Sequence, residues 1–239
     1  MAFREEVIGD ARLILGDCRE VELPRDDAAI VSDPPYGIAF VKGSGGSPVS
    51  NMAHLPNGGR AFARNEGAIA GDAEPFDPAH LLAWRRVILF GGNHFYARLP
   101  DGGTFHVWDK HCGRGTADSF SDAEFFWTSW RRKSELFRYL WKGVLQDGEK
   151  GEPKYHVSQK PLALMRFCIG LVDEQTIVDP YMGSGTTGVA AAQLGRSFVG
   201  VEIDPAHFAT ACRRIEQAYR QPRLFAEPAP KPSQMELVP

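Results

Sequence analysis

Several features that would mark particular protein classes are scarce in this sequence of 239 residues. The four cysteines form no C-x-x-C pair, so the sequence predicts neither a zinc site nor a disulfide framework. No apolar run approaches the length of a membrane span, and the first ten residues are too charged for a signal peptide. We therefore expect a cytoplasmic chain without a metal ion or a membrane partner.

An excess of charge of one sign is also missing. Lys and Arg number 27 against 30 Asp and Glu, which gives a net charge of −3, so nothing global predicts nucleic-acid binding. Such binding would need a local basic face, for which the loop-like residues 37–75 and the segment 131–155 are candidates. Their basic residues are Lys42, Arg60, Arg64, Arg131, Arg132 and Lys133.

What is present is an alternation of short apolar strands and helical segments, which predicts an α/β fold with a largely parallel sheet. Residues 78–95 predict a helix, the strand VILF and a Gly-Gly turn, and residues 104–110 and 123–130 predict further strands. Helical spacing recurs at 160–172 and 205–220. We expect one domain over residues 1–220 and a disordered, Pro-rich tail over 221–239.

The stretch GSGTTG, residues 183–188, lies between a predicted strand and a predicted helix. Glycines there allow a ligand to approach the backbone, the helix start offers free N–H groups, and Glu202 at the end of the next strand could accept from ribose hydroxyls. This pattern predicts a nucleoside-containing cofactor, although a tight strand–helix turn would explain it too. Only one helix and a tail follow Glu202, so the remaining strands must precede the loop, and the chain must be circularly permuted.

A second unusual stretch, VSDPPYGI at residues 31–38, places an acid, two prolines and an aromatic at the end of a predicted buried strand. A rigid turn with Asp33 as acceptor is the simple explanation. In the permuted arrangement, however, Asp17, Asp33–Tyr36, Asp179 and Glu202 would gather at the carboxyl ends of neighbouring strands, where α/β folds bind ligands.

These motifs together resemble those of the β-class amino-methyltransferases of DNA, which use S-adenosylmethionine. DPPY resembles the catalytic motif, DPYMGSGTT the cofactor loop with Tyr181 for Phe, and HVSQKP (156–161) the H-P-T-Q-K-P segment with Val157 and Ser158 substituted. Residues 107–130 resemble the middle region of compact, phage-type adenine methyltransferases. The resemblance covers roughly residues 10–220, and the motif order agrees.

The resemblance implies a Rossmann-like class I methyltransferase fold, with a circularly permuted, mostly parallel seven-stranded sheet and helices on both faces. It implies base flipping in double-stranded DNA and methylation of adenine N6. Because cytosine N4 enzymes more often carry Ser at the head of the catalytic motif, Asp33 favours adenine, but cytosine stays open. Homodimerisation and a cognate restriction enzyme also stay open.

The resemblance further implies a role for each matching residue. Asp33 and the Pro34 carbonyl would accept the two amine hydrogens, Pro35 would fix the turn, and Tyr36 would stack on the target base. Lys160, with His156 and Ser158, would approach the cofactor carboxylate. The residues implied for cofactor binding are Asp17, His156, Ser158, Lys160, Asp179, Pro180, Tyr181, Gly183, Ser184, Gly185, Thr186 and Glu202.

Other functions are compatible with parts of the pattern. A nicotinamide-dependent oxidoreductase would use GSGTTG but would leave DPPY without a role and too little chain after the fingerprint. Methylation of RNA or of a protein glutamine more often involves Asn in place of Asp33. An inactive regulator that binds DNA or cofactor is the non-enzymatic alternative.

Overall fold

The computed structural model describes residues 3–38, 71–112, 121–142, 145–146 and 159–221. Several predicted positions therefore lie outside the described residues: Lys42, Arg60, Arg64, His156, Ser158, and the tail from residue 222 on.

The described chain alternates strands and helices, as predicted. The strands are β1 Arg4–Ile8, β2 Ala11–Leu15, β3 Ala28–Ser32, β4 Arg86–Phe90, β5 Thr104–Asp109, β6 Ala123–Thr128, β7 Leu136–Arg138, β8 Trp141–Lys142, β9 Leu145–Gln146, β10 Thr176–Asp179 and β11 Ser197–Glu202. The α-helices are α1 Leu162–Ile169, α2 Thr186–Gln193 and α3 Pro205–Arg220. The segments 79–81, 92–94 and 96–98 form short 3-10 helices.

One mostly parallel sheet organises the molecule. Its strand order is β1-β2-β11-β10-β3-β4-β6-β5-β7, and β8 and β9 form a separate hairpin. The run from β2 through β11, β10 and β3 to β4 is parallel throughout, with Val178 of β10 opposite both Ile30 of β3 and Val199 of β11. Every residue of β3 is buried, as expected for a central strand covered on both faces.

The sheet has nine strands among the described residues, whereas the sequence predicted seven. Both additional strands lie at the edges: β1 pairs antiparallel with β2, and the three-residue β7 pairs parallel with β5. Three of the five residues of β1 are exposed, and two of the three residues of β7 are exposed. Because most of their side chains are exposed, such edge strands lack the apolar run by which a strand is predicted from sequence.

The α-helices of the described chain lie on one face of the sheet, not on both as predicted. Ala29 and Val31 of β3 pack in the same core cluster as Ala190 and Ala191 of α2. On the opposite face, Ala28 and Ile30 pack with Leu81, Trp84 and Phe76, which belong to 3-10 turns and loops. The predicted helix beginning at residue 78 is only the turn Ala79–Leu81, because β4 begins at Arg86 and too few residues remain to propagate an α-helix.

None of the helices in the described ranges is long and apolar enough to cross a bilayer.

The packing of α3 against the loop before α2 requires a glycine. Gly185 has φ +83°, and a Cβ there would lie 2.8 Å from the Cβ of Ala211. We expect Gly185→Ala to lower the free energy of unfolding through both the left-handed backbone, about 1–2 kcal/mol, and overpacking, about 1–3 kcal/mol. Urea unfolding measures the loss.

Gly102→Ala is the matched control, because Gly102 has φ +92° but nothing within 4 Å of its Cβ position. It should show the backbone cost alone. Equal losses in the two variants would contradict the proposed contact between the loop and α3.

Candidate active site

Acidic side chains converge at the carboxyl edge of the four adjacent parallel strands. Asp179 and Glu202 end β10 and β11, Asp33 follows β3 directly, and Asp17 lies two residues after β2. Because β2, β11, β10 and β3 are neighbours in this order, all four acids lie along one edge. The gathering predicted from the strand ends is therefore confirmed.

The glycine loop after β10 has open space at Gly183 and is fixed by hydrogen bonds from α3. Gly183 and Gly185 both have positive φ, +53° and +83°, and nothing lies within 4 Å of the Cβ position of Gly183. Arg214 of α3 donates to the Ser184 carbonyl and hydroxyl at 2.7 and 3.0 Å and to the Thr186 hydroxyl at 3.1 Å. The loop therefore exposes bare backbone to the sheet edge while its outer side is fixed.

Glu202 faces this loop. Its Oε2 accepts the Gly183 N–H at 2.8 Å, and its Oε1 accepts the Asp204 N–H at 2.7 Å. Burial raises the pKa of Glu202, and these backbone donors oppose the rise. Each oxygen keeps a lone pair for a further donor, so the carboxylate is oriented but not saturated. Ile203, the next residue, exposes 53% of its surface beside it.

Asp179 is fully engaged in the interior. Its Oδ1 accepts from the Ser32 hydroxyl at 2.6 Å and from the Tyr181 N–H at 3.1 Å, and its Oδ2 accepts from the Thr187 hydroxyl at 2.5 Å. Burial raises the pKa of Asp179 to about 6, against the opposing effect of these donors. With three hydrogen bonds from protein groups on its carboxylate, Asp179 fixes the loop from below.

The DPPY turn presents Asp33 from the end of β3. Asp33 Oδ1 accepts from the Tyr36 hydroxyl at 2.6 Å, and Oδ2 accepts from the Lys160 ammonium at 2.6 Å. Pro34 is buried and Pro35 half-buried, and the turn ends where the Gly37 N–H donates to Asp72 at 2.8 Å. Burial raises the pKa of Asp33, while the Lys160 ammonium lowers it.

Lys160 belongs to a chain of alternating charges. Its Nζ lies 3.3 Å from Glu124 Oε2, and Lys110 donates to Glu124 Oε1 at 2.7 Å. Burial acts to raise the pKa of Glu124, but the two ammonium groups outweigh it and lower this pKa to about 2. The sequence predicted that Lys160 approaches the cofactor carboxylate, and this stays a prediction. In the structure its ammonium pairs with Asp33 and Glu124.

Tyr36 has a defined ring environment. Its ring stacks on the exposed His94 imidazole, with centroids 5.1 Å apart and planes 14° apart. Gly91 permits the close approach of the ring, because a Cβ at that position would lie 2.1 Å from a ring carbon of Tyr36. The His94 side chain shows that this ring can receive a second flat group.

A cavity of about 630 Å³ lies beside β2. Cys18, Arg19, His80, Trp84 and Pro180 are among its lining residues. Asp17 itself pairs with Arg19 at 2.5 Å, and this bond lowers the pKa of Asp17. The hydroxyl of Tyr181 lies 3.0 Å from His80 Nε2, so the glycine loop and the cavity wall are joined.

Of the predicted basic residues within the described chain, Arg131 and Lys133 are exposed, whereas Arg132 is partly buried and pairs with Glu135 at 3.4 Å. Four side chains at the site are not among those predicted from the sequence: His94, Lys110, Glu124 and Ile203. Lys110 and Glu124 lie within residues 107–130, whose sequence resembles the middle region of the compact enzymes. That resemblance was the sequence feature that could have pointed to these two residues.

Part of this chain is similar to known DNA methyltransferases. A family model described as DNA methylase, covering N6 and N4 enzymes, matches residues 102–213. The type II methyltransferase M.HindIII of Haemophilus influenzae is 48% identical over 63 residues, which are 26% of this chain and 20% of that protein. Over these residues the chain is similar to the DNA amino-methyltransferases.

A second type II methyltransferase and a solved structure are also similar to this chain. The type II methyltransferase M2.DpnII of Streptococcus pneumoniae is 37% identical over 79 residues, 32% of this chain and 30% of that protein. The chain thus aligns with 20% and 30% of the lengths of these two curated relatives. The solved PvuII DNA methyltransferase, titled cytosine-N4-specific, has the same fold: TM-score 0.54, 12% identity, 89% of this chain and 92% of that one.

The environment of Asp179 makes stability depend on pH. Its folded pKa of about 6 exceeds the ordinary value of 3.8, so the folded state holds the proton more tightly and its stabilisation is lost as pH rises from about 4 to 6. We expect the difference in unfolding free energy between the parent and Asp179→Asn to fall by about 2.4 kcal/mol between pH 4 and pH 7. Chemical denaturation at both pH values measures it.

Ser32→Ala provides the control for the cause. It removes a donor that lowers the pKa of Asp179, so a carboxyl-carbon NMR titration should show that pKa higher than in the parent. A difference between parent and Asp179→Asn that does not vary with pH would contradict the assignment.

Proposed function

We propose that this chain transfers a methyl group from S-adenosylmethionine to the exocyclic N6 amine of adenine in double-stranded DNA. The observation that carries the proposal is the placement of Asp33, on a rigid prolyl turn, at the same sheet edge as the glycine loop and Glu202. An acceptor for an amine and a cradle for a nucleoside cofactor thus lie on adjacent parts of one edge.

The residues at this edge fit the cofactor. Glu202 has lone pairs free for the ribose hydroxyls, and the exposed Ile203 offers an apolar surface to a purine ring. The open space over Gly183 lets the methionine portion approach the backbone of the loop from Asp179 to Thr186. Asp17 would reach the adenine end. When bound, the cofactor would supply a methyl group on a sulfonium, whose bond electrons return to sulfur as the methyl leaves. The alkylated amine would then lose one hydrogen as a proton to the Asp33 carboxylate that accepts it.

The turn at Asp33 supplies what the amine requires. An adenine amino nitrogen is a poor nucleophile because its lone pair is delocalised into the ring. Two acceptors on its hydrogens, the Asp33 carboxylate and the Pro34 carbonyl, would draw the nitrogen toward a tetrahedral geometry and free the lone pair. Pro34 and Pro35 restrict the backbone, so both acceptors are oriented before the base arrives.

The target base must leave the duplex to reach this edge, at a cost of roughly a few kcal/mol for unpairing and unstacking. The Tyr36 ring, which already stacks on His94, would receive the flipped base. The exposed Arg131 and Lys133 are candidates for phosphate contacts, together with Arg132, Lys42, Arg60 and Arg64.

The arrangement of the strands supports further parts of the proposal. The strand that leads to the glycine loop, β10, follows the DPPY strand in the chain yet lies beside it in the sheet, which supports a circular permutation. We place the working chain in the cytoplasm as a single catalytic domain, with homodimerisation and a restriction partner as open properties.

Methylation of cytosine N4 is the alternative, because the family covers both amines and cytosine presents the same donor geometry to Asp33. An oxidoreductase would leave Asp33 and its turn without a role, and an inactive regulator would not require a preorganised acceptor.

A transfer assay tests the reaction and the base together. Purified protein is incubated with methyl-labelled S-adenosylmethionine and mixed-sequence duplex DNA, and the DNA is digested to nucleosides. We expect label in N6-methyladenine. Label in N4-methylcytosine would overturn the base assignment, and cofactor binding without label would favour a regulator or another acceptor.

Mutations in the two halves of the site should affect different measurements, the transfer rate in one case and cofactor affinity in the other. Asp33→Ala should reduce transfer by about 10²–10⁴-fold, since it removes an acceptor for the reacting amine, while cofactor affinity is retained. Glu202→Ala should weaken cofactor binding by roughly 10–100-fold, the value of a hydrogen bond to a charged group. Calorimetry and the transfer assay measure the two effects.

Glu216→Ala serves as the control, because Glu216 lies exposed on α3 and pairs only with Arg220 within the described residues. Equal loss of cofactor binding and of methyl transfer in Asp33→Ala would contradict the role of Asp33 as amine acceptor. Unchanged cofactor affinity in Glu202→Ala would show that the ribose site is elsewhere.

A further inference from the structure

The acceptor proposed for the target amine is already in contact with another nitrogen. We propose that, without a target base, the Lys160 ammonium takes the place of the target amine on Asp33, and that Glu124 receives this ammonium when the amine enters. The inference rests on the proposed function of Asp33, and it assigns positioning roles to Lys160 and Glu124.

The contacts of Asp33 show what must be exchanged. Tyr36 donates to Oδ1 and Lys160 to Oδ2, each at 2.6 Å, so both oxygens have a partner. An ammonium and an aromatic amine are both N–H donors of similar size, so Lys160 Nζ stands in for the amine nitrogen. A 2.6 Å bond from an ammonium is short and charge-assisted, and a neutral amine would compete poorly for this oxygen unless the ammonium moved.

Glu124 provides a place for the ammonium to go. Its Oε2 is buried and has no hydrogen-bond partner among the described residues, although Lys160 Nζ lies only 3.3 Å away. The ion pair at 3.3 Å leaves this buried oxygen without a full hydrogen bond, which is unfavourable, so its retention calls for a reason. Lys110 holds the other oxygen at 2.7 Å, which fixes the direction of Oε2.

The move needs little rearrangement. Charge-assisted N–H···O bonds are about 2.7–2.9 Å long, so a shift of about half an ångström toward Glu124 would complete this bond and loosen the one to Asp33. Lys160 Nζ lies 5.3 Å from the Phe90 ring centroid and 5.7 Å from that of Tyr36. The ammonium is therefore held between two aromatic rings, and it stays paired with a carboxylate at either position.

The exchange also suits the charge that the reaction develops. As the amine nitrogen forms its bond to the methyl carbon, it gains positive charge, and an ammonium on the same carboxylate oxygen would oppose that gain. With Lys160 paired to Glu124, the negative charge of Asp33 is left to face the reacting nitrogen.

The first test needs no activity. In a crystal structure of the full Asp33→Ala chain, Lys160 has lost its nearest partner, so we expect Nζ within about 2.9 Å of Glu124 Oε2. An ammonium that turns to solvent, or that keeps its 3.3 Å separation, would overturn the inference whatever the reaction of the protein is.

The second test uses a double-mutant cycle on the transfer rate at saturating DNA and cofactor. Glu124→Gln removes the receiving charge, so we expect a rate loss of about tenfold with cofactor affinity unchanged. In the Lys160→Met background no ammonium needs to move, so the same change should cost less than about twofold. Glu216→Gln is the control, because Glu216 lies exposed on α3, pairs with Arg220 and does not contact this chain of charges.

Losses that multiply independently would overturn the inference, since Glu124 would then act without Lys160. If Lys160→Met does not fold, the Asp33→Ala structure alone decides between the two outcomes. Absence of transfer by the unmodified chain on any DNA would instead defeat the proposed function, and the crystal structure would still decide whether Glu124 receives the ammonium.

Discussion

The parallel run of β2, β11, β10 and β3 imposes the main constraint on this molecule, because it brings four carboxylates to one edge of the sheet. Like charges at partly buried positions disfavour their ionised forms, so each acid needs its own stabilising partner. The partners differ in kind. Asp17 has an arginine, Asp179 has two hydroxyls, Glu202 has backbone N–H groups, and Asp33 has a lysine.

These differences divide the acids by what they can still do. Asp179 uses its lone pairs within the protein, and burial leaves it with a raised pKa, so it is suited to holding the loop. Glu202 is satisfied by rigid backbone donors and keeps lone pairs for hydroxyls. Unlike Asp179 and Glu202, Asp33 has a partner on a long, flexible side chain, the Lys160 ammonium, and a flexible partner can be exchanged.

Features with a local cause could be predicted from the sequence. The glycine loop and the DPPY turn are each set by a few consecutive residues, and the strand ends follow from apolar runs, so the edge that gathers the acids was predictable. The pairing of Lys160 with Asp33 and Glu124 was not, because the three residues come from distant segments that only the folded sheet brings together. The second face of the sheet was mispredicted for a related reason: the apolar residues Leu81 and Trp84 pack there from turns, which leave no helical period in the sequence.

A buried hydrogen bond between two strand ends connects the two halves of the proposed site. Ser32, the last residue of β3, donates to Asp179, the last residue of β10, at 2.6 Å, and the DPPY turn and the glycine loop begin directly after them. Because the two strands are also paired in register, the turn that would hold the amine and the loop that would hold the methyl donor are fixed relative to each other. In-line transfer tolerates misplacement of less than about 1 Å, so a rigid link at the base of both segments is what the proposed chemistry requires.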